Sequence, residues 1–157
     1  MSGTAFEWDL VTPPAQADGQ ASTATEELYG SDLWCEDDID ELASELPSTS
    51  PLLVAQANYR RLSTERGTLV DDPDYGFDLL GLLHAEITPA FIASIPGQVE
   101  NELRKDDRNE TIECKVSNIT HRSFDVEIRG TTATGPFDLV ISLDPDNVES
   151  TLKAMSA

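Results

Sequence analysis

The sequence predicts an α+β domain: two main helices packed on a small three-stranded antiparallel sheet, preceded by an extended acidic amino-terminal arm. Three observations lead to it. Apolar residues recur at helical spacing after two capped starts, Ser50-Pro51 and Thr88-Pro89. Beyond Thr111 the period shortens to two, and the first 59 residues carry acids but neither Lys nor Arg. A chain of 157 residues holds one core plus tails, since domains cluster at about 100–150 residues.

Residues 1–25 are rich in Ala, Thr, Gln, Gly and Pro without an apolar period, so this stretch cannot bury enough surface to offset the entropy of ordering. Within it Phe6, Trp8 and Leu10 alternate with acids, which reads either as a frayed end or as a clip that orders on a neighbouring subunit. From Glu26 to Glu45 acids are interleaved with Leu28, Tyr29, Leu33, Trp34, Ile39 and Leu42. Ile39, Leu42 and Leu46 keep helical spacing, which predicts a short amphipathic helix over 37–46. Trp8, Tyr29 and Trp34 are the expected anchors by which this arm lies down on a partner.

Ser50 as N-cap and Pro51 at the first helical position open a helix over about 51–64, with Leu52, Ala55, Tyr59 and Leu62 on one face and Gly67 beyond its end. Thr68 to Val70 form a brief extended piece. Asp71-Asp72-Pro73-Asp74-Tyr75-Gly76 follows as a turn cluster, and the Leu-rich patch from Phe77 to Leu83 is expected to enter the core as a short helical turn. The second helix, over about 89–105, carries the stripe Ile92, Ile95, Val99 and Leu103. Pro96-Gly97 predicts a kink or restart near Ile95, because proline lacks a donor and crowds the carbonyl four residues back.

Ile112, Cys114 and Val116, then Phe124, Val126 and Ile128, then Phe137, Leu139, Ile141 and Leu143 alternate with polar residues. These are three half-buried antiparallel strands joined by short connections, and the helices are the available cover for their apolar face. The expected divisions are an arm over 1–49, a folded domain over 50–145 and a tail over 146–157.

A net charge of −20 argues against nucleic acid and against anionic membranes, both of which are recognised through Lys/Arg clusters. Neither a signal stretch nor a membrane span of about 20 apolar residues is apparent, so the chain is expected to be made in a cytoplasm. Cys35 and Cys114 lack the spacing of a disulfide framework or zinc site and read as buried thiols. Thirty acids make some carboxylate pair inevitable, so abundance is no sign of a glycosidase. Asp71, Asp72 and Asp74 lack the EF-hand spacing, and His84 and His121 belong to no HExxH helix. No catalytic residue, cofactor or metal is expected.

The run Tyr59-Arg60-Arg61-Leu62-Ser63-Thr64-Glu65-Arg66-Gly67-Thr68-Leu69, followed by Asp72-Pro73-Asp74-Tyr75-Gly76-Phe77-Asp78-Leu79, resembles the signature of the phage W-like baseplate wedge family. The stretch from Leu28 to Asp38 is similar to the amino-terminal extension of its Mu-type subgroup, and the resemblance covers about residues 28–145. It implies a structural sheath initiator in the tail baseplate of a contractile phage or related injection machine, located in the virion. The implied partners are the helical wedge proteins and the tail sheath protein, with tail tube or hub proteins as further neighbours. Sheath strands would add to the sheet edge at Phe137, Leu139, Val140 and Ile141. Family members carry Glu-Pro-Arg before the first long strand to grip the wedge; here the place reads Asn109-Glu110-Thr111, with Arg108 beside it. Arg108, Asn109 and Glu110 are therefore the expected wedge contacts. A past lysozyme-like label of the family makes a peptidoglycan hydrolase the alternative.

Overall fold

A computed structural model describes residues 30–34 and 45–154, the last eight of these as backbone alone. Trp8, Tyr29, Cys35 and most of the expected acidic helix, 37–44, lie outside the described residues. The architecture is α+β, with helices covering one face of an antiparallel sheet.

Helix α1 spans Pro51–Ser63. It starts where the sequence indicates, with the Ser50 hydroxyl accepting from the Leu52 N–H at 3.3 Å. It stops at Thr64, whose N–H and hydroxyl both donate to the Arg60 carbonyl, at 3.0 and 2.7 Å. Helix α2 spans Pro89–Leu103, and Thr88 caps it by accepting from the Phe91 N–H at 3.2 Å. The helix runs unbroken through Pro96, so the restart expected near Ile95 does not occur. Ile95 and Val99 on its inner face are fully buried, and that packing outweighs the single hydrogen bond a proline removes. Between the helices, Leu80–His84 form a short turn of 3-10 helix, as expected, but none of its residues is buried: of the Leu-rich patch Leu79 enters the core, Phe77, Leu82 and Leu83 pack against it half-buried, and Leu80 is exposed.

Before α1, two-residue strands β1 (Asp32–Leu33) and β2 (Glu45–Leu46) pair antiparallel. Glu45 and Leu46 are thus extended, not the end of a helix. The large sheet contains β3 (Thr111–Ser117), β4 (Phe124–Thr132), β5 (Gly135–Asp144) and β6 (Asn147–Ala154), in that spatial order and antiparallel throughout. Three of these are the strands the alternation predicts. The fourth lies in the segment expected to be a tail: it returns after a turn at 145–146 and pairs with Phe137 to Asp144 of β5, from Asp144↔Asn147 to Phe137↔Ala154.

The inner faces of β3, β4 and β5 bury Ile112, Cys114, Phe124, Val126, Ile128, Phe137, Leu139, Ile141 and Leu143 against Ala55, Leu62, Leu79, Ile95, Val99 and Leu103. Gly130 sits between Ile112 and Phe137 in the register, and a Cβ there would come within 2.4 Å of the Phe137 ring. Its missing side chain is the space that the ring fills. A second cluster, Leu46, Leu53 and Val54, lies on another side of α1 beneath β1 and β2. Consequently α1 is buried on more of its circumference than the stripe Leu52, Ala55, Tyr59 and Leu62 predicts; Leu52 and Tyr59 are only half-buried.

Candidate functional site

The sequence assigned an open sheet edge to β5. In the structure β5 is an interior strand, flanked by β4 and β6, and Phe137, Leu139 and Ile141 are buried core residues with Val140 between them. Their backbone groups are taken on both sides, so strand addition at Phe137, Leu139, Val140 and Ile141 is corrected. The outer strands of the sheet are β3 and β6.

These two outer strands differ. On β3 the Cys114 N–H, turned away from β4, donates at 3.0 Å to Oε1 of Glu100 on α2, and Arg104 holds the other oxygen of that carboxylate at 2.8 Å. A side chain therefore occupies the place where an incoming strand would bond. Antiparallel pairs alternate between bonded and non-bonded, so the outward N–H of Cys114 fixes the parity of the sheet through Cys114↔Ile128, Ile128↔Leu139 and Leu139↔Leu152. It follows that Ser150 and Leu152 present their N–H groups on the outer side of β6. Among the described residues no strand lies beyond β6.

The expected wedge contacts are mostly used within the chain. Arg108 forms a bidentate pair with Asp106, Nε to Oδ1 at 2.9 Å and Nη2 to Oδ2 at 2.6 Å. Asn109 exchanges two side-chain hydrogen bonds of 2.9 Å with the fully buried Asn58 and donates a third to the Leu103 carbonyl. These tie the end of α2 to α1. Glu110 is exposed, with its N–H on the Thr131 carbonyl. Of the arm anchors, Trp34 packs against both hydrophobic clusters of its own chain. Beside it Asp32 accepts from Arg60 at 2.6 Å and from Gln56 at 3.0 Å. The boundary expected at 49/50 thus shifts: residues 30–34 and 45–49 are part of the fold.

Sequence reasoning passed over Glu102. This carboxylate is 2% exposed and accepts from Arg61 at 3.1 Å, Arg66 at 2.7 Å and Lys105 at 2.8 Å. Burial opposes its ionisation, but the hydrogen bonds from Lys105 and Arg61 and the charges of Lys105 and Arg66 prevail and hold the carboxyl below its usual range. The signal was available: Glu102 follows Val99 by three residues and so shares the inward face of α2.

Around Glu102 the run 59–79 closes into one structure. Arg61 lies over the Tyr75 ring at 4.3 Å, and Arg66 Nε donates to the Gly76 carbonyl at 3.1 Å. The Thr64 carbonyl accepts the N–H groups of Phe77 and Asp78, both at 3.0 Å, and the Leu62 carbonyl accepts that of Leu79 at 2.9 Å. Gly76 has φ +103°, and a Cβ on it would lie 2.4 Å from the Thr64 oxygen, so glycine is required there.

At Asp106 burial again works against charge, while the hydrogen bonds and charge of Arg108 lower its pKa. Burial, with the Glu100 charge behind it, pushes the Cys114 thiol up to about 12. Among the described residues no group of three or more His, Cys, Asp or Glu side chains converges as a metal site, and no helix is long and apolar enough to cross a membrane. Comparison with models of known protein families gives no match, and no curated protein matches the sequence significantly.

Proposed function

We propose that this chain is a non-enzymatic structural component of a contractile injection machine, a baseplate wedge protein of the virion on which the tail sheath begins. The observation that carries the proposal is the outer side of β6: a strand with outward N–H groups at Ser150 and Leu152, in a sheet whose other border is occupied by Glu100. An unpaired strand is a template that another chain extends by backbone hydrogen bonds. The resemblance of residues 59–79 to the wedge family supplies the identity of that chain, a strand of the sheath protein. Wedge proteins would lie against other surfaces, with Glu110 the exposed member of the expected contact set.

A peptidoglycan hydrolase needs one carboxyl kept protonated as an acid. Among the described residues the most buried carboxylate, Glu102, is instead held ionised by three cations. That chemistry favours the scaffold over the enzyme.

The test is Ser150→Pro. Proline there deletes an outward donor while the inward N–H groups of β6 keep their bonds to β5. Circular dichroism and melting should stay close to the parent, while co-assembly with the sheath protein of the same particle falls at least tenfold. Undiminished sheath assembly on a folded Ser150→Pro protein would remove β6 from the mechanism.

A further inference from the structure

The loop that leaves α1 carries the most exposed large apolar residue of the described chain. Val70 is 93% exposed and Leu69 beside it 44%. Single apolar residues at a surface are ordinary. This pair differs in being held outward by a loop anchored at both ends. On the near side Thr68 bonds Glu65 through N–H and hydroxyl, and Arg66 is drawn onto Glu102 and the Gly76 carbonyl. On the far side the Tyr75 N–H donates to the Asp72 carbonyl at 3.1 Å, and Lys105 Nζ donates to the Asp74 carbonyl at 3.3 Å. The buried Glu102 thus takes up the cationic side chains near the loop. Besides Arg66, half exposed and turned onto Glu102, the charged residues flanking the pair are Glu65, Asp71, Asp72 and Asp74, all exposed.

From this arrangement we infer that Leu69 and Val70 form a preorganised docking tip for a protein that presents an apolar helix face bordered by Lys and Arg side chains. A tip already fixed in shape loses little conformational entropy on binding. Four rim carboxylates select a basic partner and repel acidic ones, nucleic acid and anionic lipid. The site is distinct from the outer side of β6 and stands whether or not that strand is extended by a neighbour.

A 15N-labelled sample of the full chain, titrated with an amphipathic helical peptide of Leu and Lys, tests the inference by NMR. A Gln/Lys peptide of equal charge serves as the control. Saturable shifts centred on residues 65–74 are expected, with the control at least tenfold weaker. The double variant L69S/V70S, which alters no charge and touches no buried group, should weaken the Leu/Lys peptide at least fivefold with an unchanged spectrum elsewhere. Equal binding of both peptides, a footprint confined to other residues, or indifference to L69S/V70S would each overturn the docking tip. None of these results depends on sheath assembly.

Discussion

Replacing Glu102 by Gln keeps the shape of the side chain and removes the negative charge on which Arg61, Arg66 and Lys105 converge. Orphaning partners of a buried ion pair typically costs about 3–5 kcal/mol. Arg61 is 15% exposed and cannot recover its hydration in place, whereas Arg66 and Lys105 are 53% and 44% exposed and can turn to water. The expected loss is therefore at the lower end, about 3 kcal/mol, which for a domain of this size lowers Tm by roughly 10 °C. Urea unfolding followed by tryptophan fluorescence measures it. The same variant tests the pH dependence. Because the folded-state pKa of Glu102 is depressed, its contribution is complete above the usual value of 4.5 and is lost as the pH falls through the lowered value. The parent should weaken on acidification below that point, and Glu102→Gln should weaken less steeply. A loss under about 1 kcal/mol, or parallel acid profiles, would show that the three cations are indifferent to this carboxylate.

Gly76→Ala places a methyl group against the Thr64 carbonyl at a φ of +103°, and should cost at least about 2 kcal/mol by chemical denaturation; a neutral result would mean that the turn relaxes freely. Glu100→Ala uncovers the Cys114 N–H on β3, so light scattering should report more self-association than in the parent, and an unchanged mass would deny the carboxylate its guarding role. In a Cys35→Ser background the Cys114 thiol, pushed up to about 12, should react with a disulfide reagent at pH 8 only as fast as the protein opens. Labelling of the folded protein at the rate of a free thiol would contradict the burial.

Much of the framework was legible because it is local. Ser50-Pro51 and Thr88-Pro89 announce helices whose starts agree with the structure, since capping is decided by adjacent residues. The alternation from Ile112 to Leu143 likewise gave three strands and their inward faces. β6 escaped because its sequence, Asn-Val-Glu-Ser-Thr-Leu-Lys-Ala, interrupts the apolar alternation with Ser150; pairing with β5 supplies what the pattern lacks. That omission displaced the candidate site by one strand. Trp34 looked available for a neighbour because its partners, Leu46, Leu53 and Val54, become neighbours of one another only once α1 forms. Asn109, an expected contact for another protein, has its complement within the chain in Asn58, 51 residues away and fully buried.

The unequal borders of the sheet bear on what shape an assembly can take. Units that adhere on two opposite sides join head to tail and grow without limit, as fibres do. If β6 is extended as proposed, Glu100 on the Cys114 N–H would leave the opposite side closed, so each copy would accept a single guest, growth by this route would halt after one addition, and a ring of such copies would seed a polymer made of something else.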